Sequence, residues 1–289
     1  FEQLPFDLDE LPATFSKFRK VVEKKPRLLP DRPIDSRSMG GCIPSVWADP
    51  AEWKEALEIP LDPSIEVPTH GGAKSASRHW KAYLDARALS HYKQTRNAFQ
   101  GPMQSSHLSV WLAHGCISPR QIWWDTLQYE QDVEANESTY WLRFELLWRE
   151  YFRWYSRASD WTLFRRTGPS DQVFGFDQNA RRFERWKTGH TDCDIVDAAM
   201  RELNETGWMS NRARQLVASH LIYESNLDWR LGAAYFESQL VDFDVASNWG
   251  NWAYIAGVGP DPRGGRIFHL NDQADRYDPD GSYRRRWLS

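Results

Sequence analysis

Between Asn136 and Ser156 the apolar residues Trp141, Phe144, Trp148, Phe152 and Tyr155 recur at steps of three and four. That period predicts one buried stripe on an α-helix of about five turns, with Glu145 and Arg149 flanking it one turn apart. A second helix is expected over Asp194 to Thr206, begun by Asp194 and stopped by Gly207. A third begins at Ser210 or Asn211 and sets Asn211, Arg214 and Gln215 on one face at i, i+3 and i+4. From Lys74 onwards the apolar period stays helical, and alternation at period two never lasts, so the fold class read from the pattern is all-α. Residues 1–75 differ. Pro5, Pro12, Pro26, Pro30, Pro33, Pro44, Pro50, Pro60, Pro63 and Pro68 punctuate them, which reads as a leader with short helical turns, such as Leu11 to Lys24, wrapping a neighbour. The organisation expected is a Pro-rich leader over 1–75 and one helical domain over 76–289, with no internal repeat and no low-complexity segment.

Composition adjusts this picture in three places. A chain of 289 residues can bury a sizeable core, and most of its 16 Trp are expected to pack in it. A net charge of -4 gives no overall pull towards nucleic acid, so any such binding must come from a local cluster of Arg and Lys. Arg284 to Arg286 is too short for a nucleic-acid tail and reads as a solvated face. Cys42, Cys116 and Cys193 are odd in number and lack Cys-x-x-Cys spacing, which favours a reducing, intracellular setting over a disulfide framework or a zinc site. No apolar run approaches the roughly 20 residues of a membrane span, and the first residues lack a signal-peptide pattern. The chain begins without Met, so a segment upstream of it is expected.

The stretch from Asp242 to Gly259 concentrates the chemistry. Asp242 and Asp244 precede Asn248 and Asn251 among the rings of Trp249, Trp252 and Tyr254, so hydrogen-bonding groups arrive together with flat apolar surfaces. A flat, polar-edged heterocycle suits that mixture. Ser105-Ser106-His107-Leu108-Ser109 sets three hydroxyls and an imidazole before a helical segment from Val110 to His114. On pattern alone this is a helix cap more readily than an anion site. Asp242 and Arg214 suit an ion pair by charge, and a structural salt bridge between helices is the plainer reading. Gly257-Val258-Gly259 lacks the third glycine of a dinucleotide fingerprint, no phosphate loop is present, and the histidines form no metal-binding helix pair. No metal is expected, and His107 alone is placed near a ligand.

Asp242 to Gly259 resembles the flavin-contacting core of the photolyase and cryptochrome family, and Ser247-Asn-Trp-Gly-Asn-Trp252 with Ala256-Gly-Val-Gly259 is similar to the DASH cryptochromes. Five further blocks follow in family order: Tyr92 to Asn97, Glu145 to Glu150, Thr206 to Arg214, Leu227 to Arg230, and Tyr277 to Gly281. The resemblance covers nearly the whole chain but only the C-terminal half of a full member. It implies a helical FAD-binding domain lacking the N-terminal α/β antenna domain. It also implies FAD as cofactor, with Tyr92, Ser105, Ser106, His107, Leu108 and Ser109 around the diphosphate. Asn211, Arg214, Asp242, Asp244 and Asn248 are implied around the ring and ribose, Asn248 at the flavin N5 edge, with Arg149 and Trp208 also among the implied cofactor-binding residues.

The family equivalents of Glu145 and Trp148 touch a flipped pyrimidine dimer, and Asn211 and Tyr254 complete the implied catalytic set. On the residues alone, Glu145 bonded to Arg149 with Trp148 in the core is the plainer reading. Tyr254 replaces a dimer-stacking Trp and Gln215 a Met, which implies a weaker hold on a dimer inside duplex DNA. Trp252 and Trp229 match the first two members of the family's chain of three tryptophans. The third falls on Phe176, and Trp186 or Trp161 are the candidates to substitute. Thr191-Asp192-Cys193-Asp194 adds negative charge where the family has a Gly-Tyr-Pro turn, and His190 beside it reads as a surface residue.

Two functions follow as expectations. One is a blue-light flavoprotein of DASH type, acting as a deoxyribodipyrimidine photolyase on single-stranded DNA or as a photoreceptor. The other is a photochemically silent flavin domain serving as an assembly subunit, with a protein partner on the face left by the α/β domain.

Overall fold

The computed structural model describes residues 4–25, 70–170, 175–177, 179–261 and 263–289. The proline-punctuated stretch from Pro26 to Pro68, with Cys42, lies outside the described residues. The helices are α1 Phe15–Lys24, α2 Ala73–Asp85, α3 Tyr92–Thr95, α4 Ser109–Ala113, α5 Pro119–Asp132, α6 Glu137–Ser159 and α7 Ala180–Lys187. They continue with α8 Asp194–Thr206, α9 Asn211–Ser219, α10 Trp229–Gln239, α11 Val245–Ala256, α12 Leu270–Tyr277 and α13 Ser282–Leu288. Among the described residues the sole β feature is an isolated bridge between Asp177 and Leu227. The all-α expectation holds.

The long helix α6 starts one residue later than the pattern suggests and runs one turn further. The Asn136 side chain accepts from the backbone N–H of Ser138 and Thr139, and the Thr139 hydroxyl answers the Asn136 N–H, so a capping box fixes its first turn. Its burial corrects the expected stripe. Leu142, Leu146, Leu147, Tyr151 and Phe152 are buried, whereas Trp141, Phe144, Trp148 and Tyr155 are only partly so. Apolar period locates a helix face but does not say whether that face meets core or cavity. Here the leucines take the core and much of the aromatic edge faces an internal cavity and α1.

Helix α1 closes that edge from outside. Phe15 and Phe18 are 4% and 1% exposed, packed on Tyr151 and its neighbours, which contributes roughly 1.5–3 kcal/mol for each ring.

The centre of the domain is α8, buried along most of its length from Ile195 to Leu203, with α7, α9, α12 and α13 packed against it. Its cap is Cys193 rather than Asp194, which is the first helical residue and places its carboxylate in the positive first turn. Gly207 ends it at φ 68°, a left-handed conformation that glycine adopts without a Cβ clash. Ser210 caps α9 through the Ala213 N–H. Helices α10 and α11 approach closely because Gly232 has no side chain: a Cβ there would lie 2.2 Å from the Trp252 indole. No helix among the described residues is long and apolar enough to cross a membrane.

Candidate functional site

Helices α6, α9 and α11 and the loop before α4 enclose a cavity of about 470 Å³. Most of the residues singled out in the sequence meet on its walls. The loop contributes Ser105, Ser106, His107, Leu108 and Ser109, α6 contributes Glu145, Trp148 and Arg149, and Tyr92 and Trp208 close it. Asn211 and Arg214 enter from α9, Asp242 and Asp244 from the turn between α10 and α11, and Tyr254 from α11. These positions span more than half the sequence, and only the helix packing brings them together.

The serine loop is not a cap. The N-cap of α4 is Leu108, and no side chain caps it, so the three hydroxyls are left to the cavity. His107 has φ 48°, an uncommon conformation for a residue with a Cβ, which lays its ring 4.9 Å from that of Trp208. Its Nε2 is 3.2 Å from the Gly101 carbonyl, and burial lowers its pKa, which keeps the imidazole neutral.

Arg214 and Asp242 form the charged floor. Arg214 Nη2 lies 3.1 and 2.8 Å from the two Asp242 oxygens, and its Nε donates to the Met209 carbonyl at 2.8 Å. The Asp242 side chain is 1% exposed against 25% for Arg214, so the carboxylate is buried and the guanidinium keeps one edge on the cavity. Asp244 lines the same wall while capping α11 through the Ser247 N–H at 2.8 Å.

Glu145 does not bond Arg149. Its carboxylate pairs with Arg96 at 2.8 Å and accepts from the Trp141 indole at 3.0 Å, while Arg149 turns to Glu150 and the Leu112 carbonyl. Burial raises the Glu145 pKa against the opposing pull of Arg96 and Trp141. Beside it, Trp148 and Tyr254 meet edge to face at 5.4 Å and form an aromatic corner.

Four predicted residues stand behind the walls. Asn248 is buried, and its Nδ2 donates to the Ala233 carbonyl of α10 at 2.9 Å. Trp252, Trp229 and Trp186 are also buried, with Trp252 and Trp186 in edge contact at 6.1 Å. Two charged residues of the cavity wall have no role in the sequence analysis. Arg96 sat inside a recognised block without a role, because nothing local links it to Glu145. Arg266 hydrogen-bonds the Tyr254 hydroxyl, lies 4.8 Å over the Tyr254 ring, and is anchored by Asp261, whose side chain is fully buried. Among the described residues no group of three or more His, Cys, Asp and Glu is placed to hold a metal ion.

The cavity offers hydroxyls at one end and a guanidinium flanked by carboxylates at the other, with aromatic walls between. That donor set fits FAD: hydroxyls for the diphosphate, the Arg214 cation for an electron-rich ring, and carboxylates for ribose hydroxyls.

Comparison with known proteins agrees with this fit. The family model described as the FAD binding domain of DNA photolyase matches residues 141–289. Cryptochrome DASH of Idiomarina loihiensis is 46% identical over 286 residues, covering 99% of this chain and 62% of that protein. Cryptochrome DASH of Vibrio parahaemolyticus is 48% identical over 285 residues, again 99% of this chain and 62% of the relative. The chain thus spans about three fifths of the length of the curated relatives it matches. Among solved structures, a cryptochrome from Synechocystis sp. superposes with a TM-score of 0.83 at 40% identity, covering 99% of this chain and 60% of that one. A class III photolyase from Agrobacterium tumefaciens gives 0.74 at 32% identity, over 85% of this chain and 51% of that one. A fold, a cavity and a matched FAD-binding region all agree, and the chain belongs to the photolyase and cryptochrome family, as its helical FAD-binding domain.

Proposed function

We propose that this domain, with FAD in the cavity, uses blue light to pass an electron to a cyclobutane pyrimidine dimer in single-stranded DNA, as a deoxyribodipyrimidine photolyase of the DASH cryptochrome kind. The observation that carries the reading is that one cavity holds both the serine loop with the Arg214–Asp242 pair and the Glu145, Trp148 and Tyr254 corner. Bound FAD supplies the chromophore and the electron.

The residues divide the rest. Ser105, Ser106 and Ser109 hold the diphosphate, with Tyr92, His107, Leu108, Trp208 and Arg149 shaping the surrounding wall. The Arg214 cation stabilises added negative charge on a ring, and Asp242 fixes its position. Asp244 takes the ribose and ring edge, and Asn248, bonded to the Ala233 carbonyl behind the cavity wall, must turn its amide to reach N5. Trp148 and Tyr254 receive an unstacked base on their rings while Glu145 bonds its polar edge, the arrangement a flipped lesion requires. Asn211 stands between the two ends. The DNA contact is local, since a net charge of -4 gives no general attraction.

An absorption spectrum of the purified chain tests this, repeated under blue light with a reductant and then with a dimer-containing single-stranded oligonucleotide. A flavin band that bleaches and recovers as dimers disappear supports repair, and bleaching without dimer loss points to photoreception. A flavin band fixed under illumination supports the second reading, an assembly subunit, which Phe176 at the place of the third electron-hopping indole favours. A colourless protein that cannot be reconstituted with FAD overturns both.

A further inference from the structure

We propose that Trp249 is the surface terminus of the electron path, replacing the indole absent at Phe176, with Glu237 accepting its proton; this rests on the light-driven reading above. Trp229 is wholly buried, so a hole that reached it would have no contact with a solution reductant. Its ring meets that of Trp249 edge to face at 5.7 Å. Trp249 is only partly buried, and its Nε1 donates to the exposed Glu237 carboxylate at 2.8 Å. Trp249 and Trp252 are one turn apart on α11, and the Trp252 ring lies on α10 at Gly232, one turn from Trp229. The three indoles therefore occupy facing turns of two packed helices.

Charge favours this exit over the others. The Arg166 guanidinium sits 5.3 Å over the Phe176 ring, and its carbonyl accepts the Trp229 N–H at 3.1 Å. A positive hole moving that way meets a harder-to-oxidise phenyl and a like charge. Trp161 is exposed but carries the Arg165 guanidinium at 3.6 Å. Through Trp186 the next ring is Tyr235 at 5.9 Å, with Lys187 Nζ 5.7 Å from it. The Tyr235 hydroxyl donates to the Asn204 amide oxygen at 2.6 Å, and an amide is no base for the proton a tyrosine must lose on oxidation. Trp249 differs in donating its own N–H directly to a carboxylate, so the acceptor for its proton is already in place.

The step balances. Trp252 gives one electron to the light-excited oxidised flavin and recovers it from Trp229, which recovers it from Trp249. The Trp249 cation radical passes its Nε1 proton to Glu237, leaving a neutral radical that a soluble thiol reduces.

Transient absorption on the FAD-loaded chain tests this, with Trp249→Phe, Glu237→Gln and Tyr235→Phe beside the wild type. Loss of most of the long-lived tryptophan radical in Trp249→Phe, a longer-lived cation spectrum in Glu237→Gln, and no change in Tyr235→Phe are expected. After illumination without reductant, mass spectrometry should find oxidised indole at Trp249. Full radical yield in Trp249→Phe, or a cation lifetime unaltered in Glu237→Gln, overturns the assignment. The Glu237 variant alters only an exposed side chain and decides the matter should Trp249→Phe fail to fold. A wild-type protein that binds FAD yet forms no radical would instead refute the light-driven reading itself.

Discussion

Phe15 lies flat on Trp148, with ring centroids 3.8 Å apart and planes inclined by 14°. A residue of α1 thereby covers one face of an indole whose other surroundings include Tyr254 and the cavity. Trp148 is held between a fixed ring behind and an open site in front, so its plane is set before any ligand arrives.

Replacing Phe15 with Ala removes that backing and leaves a void beside Tyr151 and Phe144. Removal of a buried phenyl costs about 3–5 kcal/mol, read as a lower urea midpoint with an unchanged slope. Affinity for a dimer-containing oligonucleotide should fall as well, because a mobile indole loses orientational order on binding. Unchanged affinity would mean that α1 stabilises the fold without shaping the Trp148 side of the cavity.

The Arg214–Asp242 pair makes a second prediction. Asp242→Asn keeps the shape but leaves a guanidinium without its buried counter-ion, and breaking such a pair costs about 3–5 kcal/mol when both partners are enclosed. With Arg214 a quarter exposed, solvent reduces that figure. The larger effect should be on the cofactor, with a lower ratio of flavin to protein absorbance after gel filtration than in the wild type.

Much of this was legible in the chain. The helices α6, α8 and α9 follow from period and caps, and the aspartates of the Asp242 stretch stand out as ligand groups by their spacing among rings, whereas pattern alone reads the serine loop as a helix cap and only the family resemblance makes it a diphosphate site. What stayed hidden was pairing across the fold. Glu145 was matched with Arg149 because they are one turn apart, whereas packing gave it Arg96 from α3's end. Period placed Trp148 in a buried stripe, but only assembly of α1 against α6 shows which ring covers it. Sequence spacing carries local contacts, and cross-helix contacts depend on crossing geometry that spacing does not encode.

A third prediction concerns pH. Glu202 and Tyr283 are buried between α8 and α13, with the hydroxyl donating to the carboxylate at 2.5 Å. Burial lifts the Glu202 pKa to about 7, although Tyr283, Arg286 and Arg214 oppose it. The folded state therefore holds a proton more tightly than the unfolded chain. Its stabilisation is complete below the ordinary glutamate range and is lost as pH rises from about 4.5 to about 7, on the order of 3 kcal/mol. Urea midpoints should fall across that window, and Glu202→Gln should flatten the profile. A midpoint that rises over the same range would show that other groups control docking of α13.

Gly232 gives the last prediction, and it separates electron transfer from stability. A Cβ at this position would lie 2.2 Å from Cη2 of Trp252, so Gly232→Ala must push the indole or the α10 backbone aside. Overpacking of this kind typically costs about 1–3 kcal/mol. Gly250→Ala is a matched control, because its Cβ would lie 2.4 Å from Cδ1 of Phe152, a ring outside the tryptophan path. Both variants should lower the urea midpoint, but only Gly232→Ala should also slow flavin photoreduction, since it displaces the first indole of that path. Equal slowing in both would assign the effect to loosened helix packing, and equal rates with lowered midpoints would mean that Trp252 can shift without leaving electronic contact with its neighbours.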